Sequence, residues 1–249
     1  MIIPQKNESL ARIVDTVACG GVIAFRTDTF YGLGADPFNV AAVQRIKQLK
    51  GREERKPILI VISDRKQVSQ FIYRPAATFN LLAERFWPGP LTLIGKAEVE
   101  VPVEITAGTE TVGIRLPSDD KVRALIEACG GALTATSANP SHEAPAKTAA
   151  EVRAYFGDEI DLIVDDGEAR TDQPSTVVEA RANEPKLIRE GVIAWAEIQK
   201  ALNRDASHRK TQILPSPFGR GLGLGSKRGS KINYLFPDSV AAPLTPALS

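Results

Sequence analysis

The chain has 249 residues, of which 43% are hydrophobic and 24% charged, and a formal net charge of +1. That leaves room for one large domain or two small ones, with a core of ordinary size. No apolar run approaches the ~20 residues of a membrane span, so no membrane partner is expected. The opening MIIPQKNESL lacks a basic segment followed by a long apolar one, so no secretory signal is expected and the cytoplasm is the default location. Charge is uneven: residues 204–249 carry seven Lys/Arg and two Asp/Glu, or +5, against +1 for the whole, which leaves −4 for residues 1–203. A nucleic-acid partner therefore needs a local basic patch rather than global charge. Cys19 and Cys129 each close a predicted helix and have no metal-spaced partner, so both read as buried thiols. Two histidines, His142 and His208, exclude a histidine-rich metal site.

Taken in chain order, Asn7 is a candidate N-cap for a helix whose apolar stripe is Leu10, Ile13, Val14, Val17 and Ala18, with Gly20 as its stop. VIAF (Val22 to Phe25) is the first predicted strand. It runs into the polar loop RTDTFYGLG, and Asn39 can cap a second helix that ends at Leu49. A basic loop follows, with Lys50, Arg52, Arg55 and Lys56; Pro57 forbids its continuation as helix, and ILIVI reads as a strand buried on both faces. Asp64 to Ile72 and Ala76 to Phe86 are predicted helices, Trp87-Pro-Gly-Pro90 a rigid turn, and LTLI a strand. Pro102 to Ala107 reads as irregular, Thr111 to Leu116 as a strand, Asp119 to Cys129 as a helix and Ala132 to Thr136 as a strand. Thr148 caps a helix to Phe156. Short strands at Leu162 to Val164, Thr176 to Val178 and Leu187 to Ile188 precede a last helix, Ile193 to Leu202. Strands and helices alternate irregularly, which predicts an α/β fold with a twisted mixed sheet flanked by helices. Residues 1–203 form the expected domain. Residues 204–249, rich in Gly, Pro and Ser, read as a low-complexity, disordered or loosely attached tail.

The stretch from Phe25 to Ile62 organises the rest. Loops at strand ends of open α/β sheets are where ligands sit. Hydroxyls, two glycines and four cations on those loops fit a polar, anionic ligand. Tyr31-Gly-Leu-Gly34 is not a dinucleotide fingerprint, because Pro37 stands where a third glycine belongs, and Gly225-Ser-Lys is not a phosphate loop. Nucleotide binding, if present, uses neither of these two common motifs.

Seven segments occur in a telling order: TDTFYGLG, KGREERKP, WPGPLTLI, VGIRLP, ATSANPS, PSTVVE and LIREG. Together they resemble the signature of the YrdC-type domain of the threonylcarbamoyl-AMP synthase family, over about residues 7–200. The resemblance implies a large basic ligand cavity and the joining of L-threonine, bicarbonate and ATP into threonylcarbamoyl-AMP with release of pyrophosphate. It further implies Mg²⁺ carried with ATP, no dedicated metal ligands, and a product used in threonylcarbamoyl modification of a tRNA adenosine next to the anticodon. Downstream tRNA-modifying proteins, and tRNA or double-stranded RNA, are then the expected macromolecular partners.

Residue by residue, Lys50, Arg52, Ser137 and Asn139 match the family's characteristic catalytic tetrad. Thr29, Arg115, Ala135 and Ser175 match positions that contact threonine. Arg52, Lys56, Thr111, Ser137, Ala146 and Arg189 match positions that contact ATP. Two anions must meet in such a site, so positioning and charge carry the reaction and no protein nucleophile is needed.

Three residues depart from the family's pattern. Arg26 replaces a proline and is expected to add a cation at the site mouth, Glu53 replaces a proline after Lys-Gly-Arg, and His142 stands where glycine is common. They bear on rate and affinity rather than on reaction class. Two other readings use the same residues: a non-catalytic module for double-stranded RNA or tRNA, and a carbamoyl-transfer relative acting on another amino compound.

Overall fold

The structure, a computed structural model, describes residues 1–51, 56–182 and 184–211. The first elements are β1 (Ile2–Pro4), α1 (Asn7–Ala18), β2 (Ile23–Arg26), β3 (Tyr31–Gly34), α2 (Val40–Leu49) and β4 (Ile60–Ile62). A 3₁₀ turn (Arg65–Gln67) leads into α3 (Val68–Phe71), then α4 (Ala77–Phe86), β5 (Leu91–Lys96), α5 (Val103–Thr106) and β6 (Thr111–Arg115). The rest comprises α6 (Asp120–Ala128), β7 (Ala132–Thr134), β8 (Thr136–Ser137), α7 (Ala149–Phe156), β9 (Leu162–Asp165), β10 (Thr176–Glu179), β11 (Lys186–Arg189) and α8 (Trp195–Thr211).

The caps follow side-chain chemistry. Asn39 accepts the Ala42 N–H at 3.1 Å, and Asp119 accepts the Lys121 N–H at 3.0 Å. Thr148 and Glu151 close a reciprocal capping box at the start of α7, as Asp64 and Gln67 do at the 3₁₀ turn.

The strands form two mixed sheets rather than one. The first has the order β1-β9-β2-β3-β8 and the second β11-β10-β5-β6-β4-β7. They meet along residues 132–137, where Thr134 N–H donates to the Ala35 carbonyl and Ala135 N–H to that of Leu59. One apolar cluster joins Ile13 and Val17 of α1 to Val122, Leu125 and Ile126 of α6 and to the first sheet. A larger one places Phe79, Leu82 and Ala83 of α4 and Ile198 of α8 with Leu91, Leu93, Val112 and Ile114. Full burial of each Val, Leu, Ile or Phe side chain among them contributes roughly 1.5–3 kcal/mol.

Four expectations change. Tyr31–Gly34, expected as polar loop, is a fully buried strand antiparallel to β2. Its glycines allow this: a Cβ on Gly34 would sit 2.6 Å from the Phe25 ring. Val103–Thr106 is a short helix rather than irregular chain. Cys19 is exposed, not buried, because α1 turns its other face to the core; Cys129 is partly buried, and burial pushes its thiol up to about 11. The last helix runs to Thr211, since no glycine or proline interrupts Ala201 to Thr211, so the boundary expected at Asn203 falls inside it. The expected tail beyond Thr211 lies outside the described residues. Among the described residues no helix is long and apolar enough to cross a membrane.

Candidate active site

A cleft of about 720 Å³ opens on one face of the second sheet, within the roughly 300–1,000 Å³ of small-molecule sites. Strand alternation builds it. On β5 and β6, Leu91, Leu93, Val112 and Ile114 point into the core, while Thr92, Ile94, Thr111, Gly113 and Arg115 face the cleft. The Thr27–Phe30 hairpin loop, the Lys56–Leu59 segment, the loop after β8, the segment before β10 and the end of β11 supply much of the remaining wall.

The cleft brings together Thr29, Lys50, Lys56, Thr111, Arg115, Ala135, Ser137, Asn139, Ser175 and Arg189. Ala146 is not among its lining residues: it is buried behind the wall, where its carbonyl accepts the Tyr31 N–H at 3.1 Å. Arg52 and Glu53 lie outside the described residues.

Arg115 ends β6 with its side chain 3% exposed. Its guanidinium donates to Thr29 Oγ at 3.2 Å and to Thr27 Oγ at 3.3 Å. Asp28 Oδ1 stands 3.3 Å from Nη2 as the counter-charge, and its Oδ2 accepts the Ser118 N–H. The Arg115 Nε–H is buried and finds no acceptor among the described residues. A buried donor left unmade costs about 1–3 kcal/mol.

Arg189 sits across the cleft and donates to the Ser175 carbonyl at 2.9 Å. It is open to solvent at the rim, yet loss of hydration against the wall, and then the charge of Arg115, lowers its proton affinity. Two guanidiniums near enough to oppose each other favour an anion between them. Ser175 Oγ and Thr92 Oγ lie 2.9 Å apart. The LIREG segment folds against Ser175 because Gly191 has no side chain; a Cβ there would fall 2.1 Å from the Pro174 carbonyl.

Lys50, the C-cap of α2 and 5% exposed, organises the Ser137–Ser141 loop. Its ammonium donates to the carbonyls of Ser137 and Asn139, the latter at 2.7 Å, and its own carbonyl accepts the Ser141 N–H. Asn139 Nδ2 holds the same loop through the carbonyls of Pro140 and Glu143. Lys50 thus touches the loop backbone rather than standing out as an open point charge. His142 lines the cleft with φ 75°, a left-handed conformation that favours glycine.

Arg26 is not among the cleft-lining residues, contrary to expectation. It is buried on the far side of the hairpin, paired with Asp166 and, at 2.9 Å, with Asp119. The polar residues missed from the sequence are Thr27, Asp28 and Thr92. All three lie inside the quoted motifs, but only the folded register shows that they meet Arg115 and Ser175. Among the described residues no three His, Cys, Asp or Glu side chains converge as a metal site.

The profile of the Sua5/YciO/YrdC family, described as "Telomere recombination", matches residues 15–191. The chain belongs to this family. Among Sua5/YciO/YrdC relatives, a threonylcarbamoyl-AMP synthase of Halorhodospira halophila is 36% identical over 163 residues, 66% of this chain and 85% of the relative. That of Pyrococcus abyssi is 34% identical over 220 residues, which is 88% of this chain but only 63% of the relative. The solved structure of P. abyssi Sua5 complexed with L-threonine superposes with a TM-score of 0.78 at 34% identity, covering 81% of this chain and 60% of that one. The Sua5/YciO/YrdC fold is thus established by structure as well as by sequence.

The buried charges have a pH signature. Burial opposes the charge on Asp119, but hydrogen bonding and attraction from Arg26 outweigh it and hold the carboxyl below its ordinary 3.8. A carboxyl depressed in the folded state stabilises fully above the unfolded value, and that contribution disappears as pH falls through the folded one. The melting temperature should be flat from about pH 7 to 5 and fall below about pH 4. Asp119→Asn should lower it at pH 7 and flatten the acid limb, as followed by thermal melts across pH.

Proposed function

We infer that the chain is a threonylcarbamoyl-AMP synthase. It joins L-threonine and ATP through a carbamate and releases pyrophosphate. The curated relatives named for this activity, at 34–39% identity, support the reading. The structural observation that carries it is Arg115: a buried guanidinium on the cleft wall, with an unmatched Nε–H, facing a second arginine.

Bicarbonate is the proposed carbon source. The threonine amine takes up its carbon and water leaves; one carbamate oxygen then attacks the α-phosphorus as the bond to pyrophosphate breaks. Arg115, Thr29 and Ser175 hold the amino acid beside Ala135. Lys56, Thr111, Ser137 and Arg189, with Arg52 from outside the described residues, hold the triphosphate. Lys50 and Asn139 fix the Ser137 loop. Catalysis then consists of bringing two anions together and offsetting their charge. Asp172 is the one carboxylate among the described lining residues, with neutral hydroxyls such as those of Ser137 and Ser141 beside it; this suits a magnesium ion held mainly by phosphates. The product would serve threonylcarbamoyl modification of tRNA in the cytoplasm, and residues 1–211 would be the catalytic unit.

The test is formation of the mixed anhydride, with pyrophosphate release, when threonine and bicarbonate are supplied together with Mg²⁺-ATP. Omitting either should abolish product. Turnover that ignores threonine but accepts another amine would establish the carbamoyl-transfer relative instead. RNA binding without any anhydride would establish the non-catalytic module.

A further inference from the structure

We propose that Arg26 is a positioning residue for the amino-acid end of the cleft, holding the Thr27–Phe30 loop to the loops that follow β6 and β9. The inference rests on the synthase reading and deepens it.

Arg26 is the last residue of β2 and is 1% exposed. Its Nη2 reaches Asp119 at 2.9 Å and also pairs with Asp166, while its Nε donates to the Asp166 carbonyl at 3.0 Å. Lys121 and Arg170 approach the same two carboxylates from the solvent side, at 3.4 and 3.5 Å. Tyr31, the partner of Arg26 across the hairpin, donates its hydroxyl to the Gly167 carbonyl at 2.7 Å. Burial pushes that phenol up to about 12, so it remains a neutral donor.

Each loop held in this knot carries or adjoins a cleft residue. Thr27 follows Arg26 directly and points the other way, as neighbours in an extended strand do. Its Oγ lies 3.1 Å from Thr29 Oγ and accepts from Arg115, and its N–H closes the hairpin on the Phe30 carbonyl. Asp119 ends the loop that begins just after Arg115, and Ser118 in that loop donates to Asp28. Asp166 begins the segment that reaches Ser175. One guanidinium therefore fixes the mutual position of Thr29, Arg115 and the approach to Ser175.

A buried ion pair adds little to stability beyond what an apolar replacement would give, but it specifies one geometry. Geometry is what this site needs, because a misplacement of ~1 Å far from the chemistry can cost about 10²-fold in rate.

The experiment compares full-length wild type with Arg26→Lys, Arg26→Gln and Asp166→Asn by thermal melting and by steady-state kinetics in threonine and in ATP. In folded variants the KM for threonine should rise about tenfold or more while that for ATP stays within about twofold, and Arg26→Lys should be milder than Arg26→Gln. An unchanged threonine KM in folded variants overturns the inference and leaves the synthase reading intact. So does a failure of every variant to fold, which would make the knot a stability element. Absence of threonine-dependent product from the wild type overturns both.

Discussion

Arg115→Gln is expected to lower kcat/KM for the amino acid by roughly 10²-fold or more, the effect of deleting a charged donor that meets its ligand in a dry site. The substitution removes the charge between Thr29 and Arg189, and it leaves Asp28 buried without its counter-ion. Breaking a buried pair from one side costs about 3–5 kcal/mol, so the variant should also melt several degrees lower. The two effects separate with Arg115→Lys. Lysine restores a positive charge near Asp28 but not the planar fork shared by Thr27 and Thr29. It should recover most of the melting temperature and only part of the affinity for threonine. Equal recovery of both would mean that Arg115 serves the fold and not the substrate.

Lys50→Met is expected to have the next largest effect, through a different route. The ammonium binds the carbonyls of Ser137 and Asn139. Methionine fills the same volume but orphans those acceptors, at about 1–3 kcal/mol. The loop should then loosen, and turnover should fall by roughly 10²-fold because Ser137 no longer meets the triphosphate in one position. The KM for threonine should change far less, since Arg115 and Thr29 belong to other elements. A variant that loses stability but keeps turnover in its folded fraction would show that the loop holds its shape without Lys50.

Much of this fold is legible in the sequence where local chemistry decides the outcome. Asn39 and Thr148 cap helices because their side chains reach N–H groups three residues on, and β5 and β6 show the alternation of a sheet with two unlike faces. Tyr31–Gly34 is not legible, because YGLG has the glycines of a turn and no polar residue to mark a second face; pairing with β2 and β8 makes it a strand. The role of Arg26 is also hidden. A charged residue at a strand end reads as exposed, and its partners are 93 and 140 residues away. The ordered motifs identify the candidate site better than any single residue, yet Thr27 and Asp28 become meaningful only when Arg115, 88 and 87 positions later, is placed beside them.

The alternation along β5 and β6 limits how this cleft can change. Each cleft-facing residue there has a core residue on either side or beside it, so the two sets share one backbone. A point substitution at Thr92, Thr111 or Gly113 alters the cleft alone. A single-residue insertion or deletion would exchange the faces, turning Leu93 and Ile114 into the ligand's neighbours and burying the Arg115 charge in the core. New substrate preferences in this scaffold are therefore reachable by exchanging side chains within these strands, and by changing length only in the loops beyond their ends.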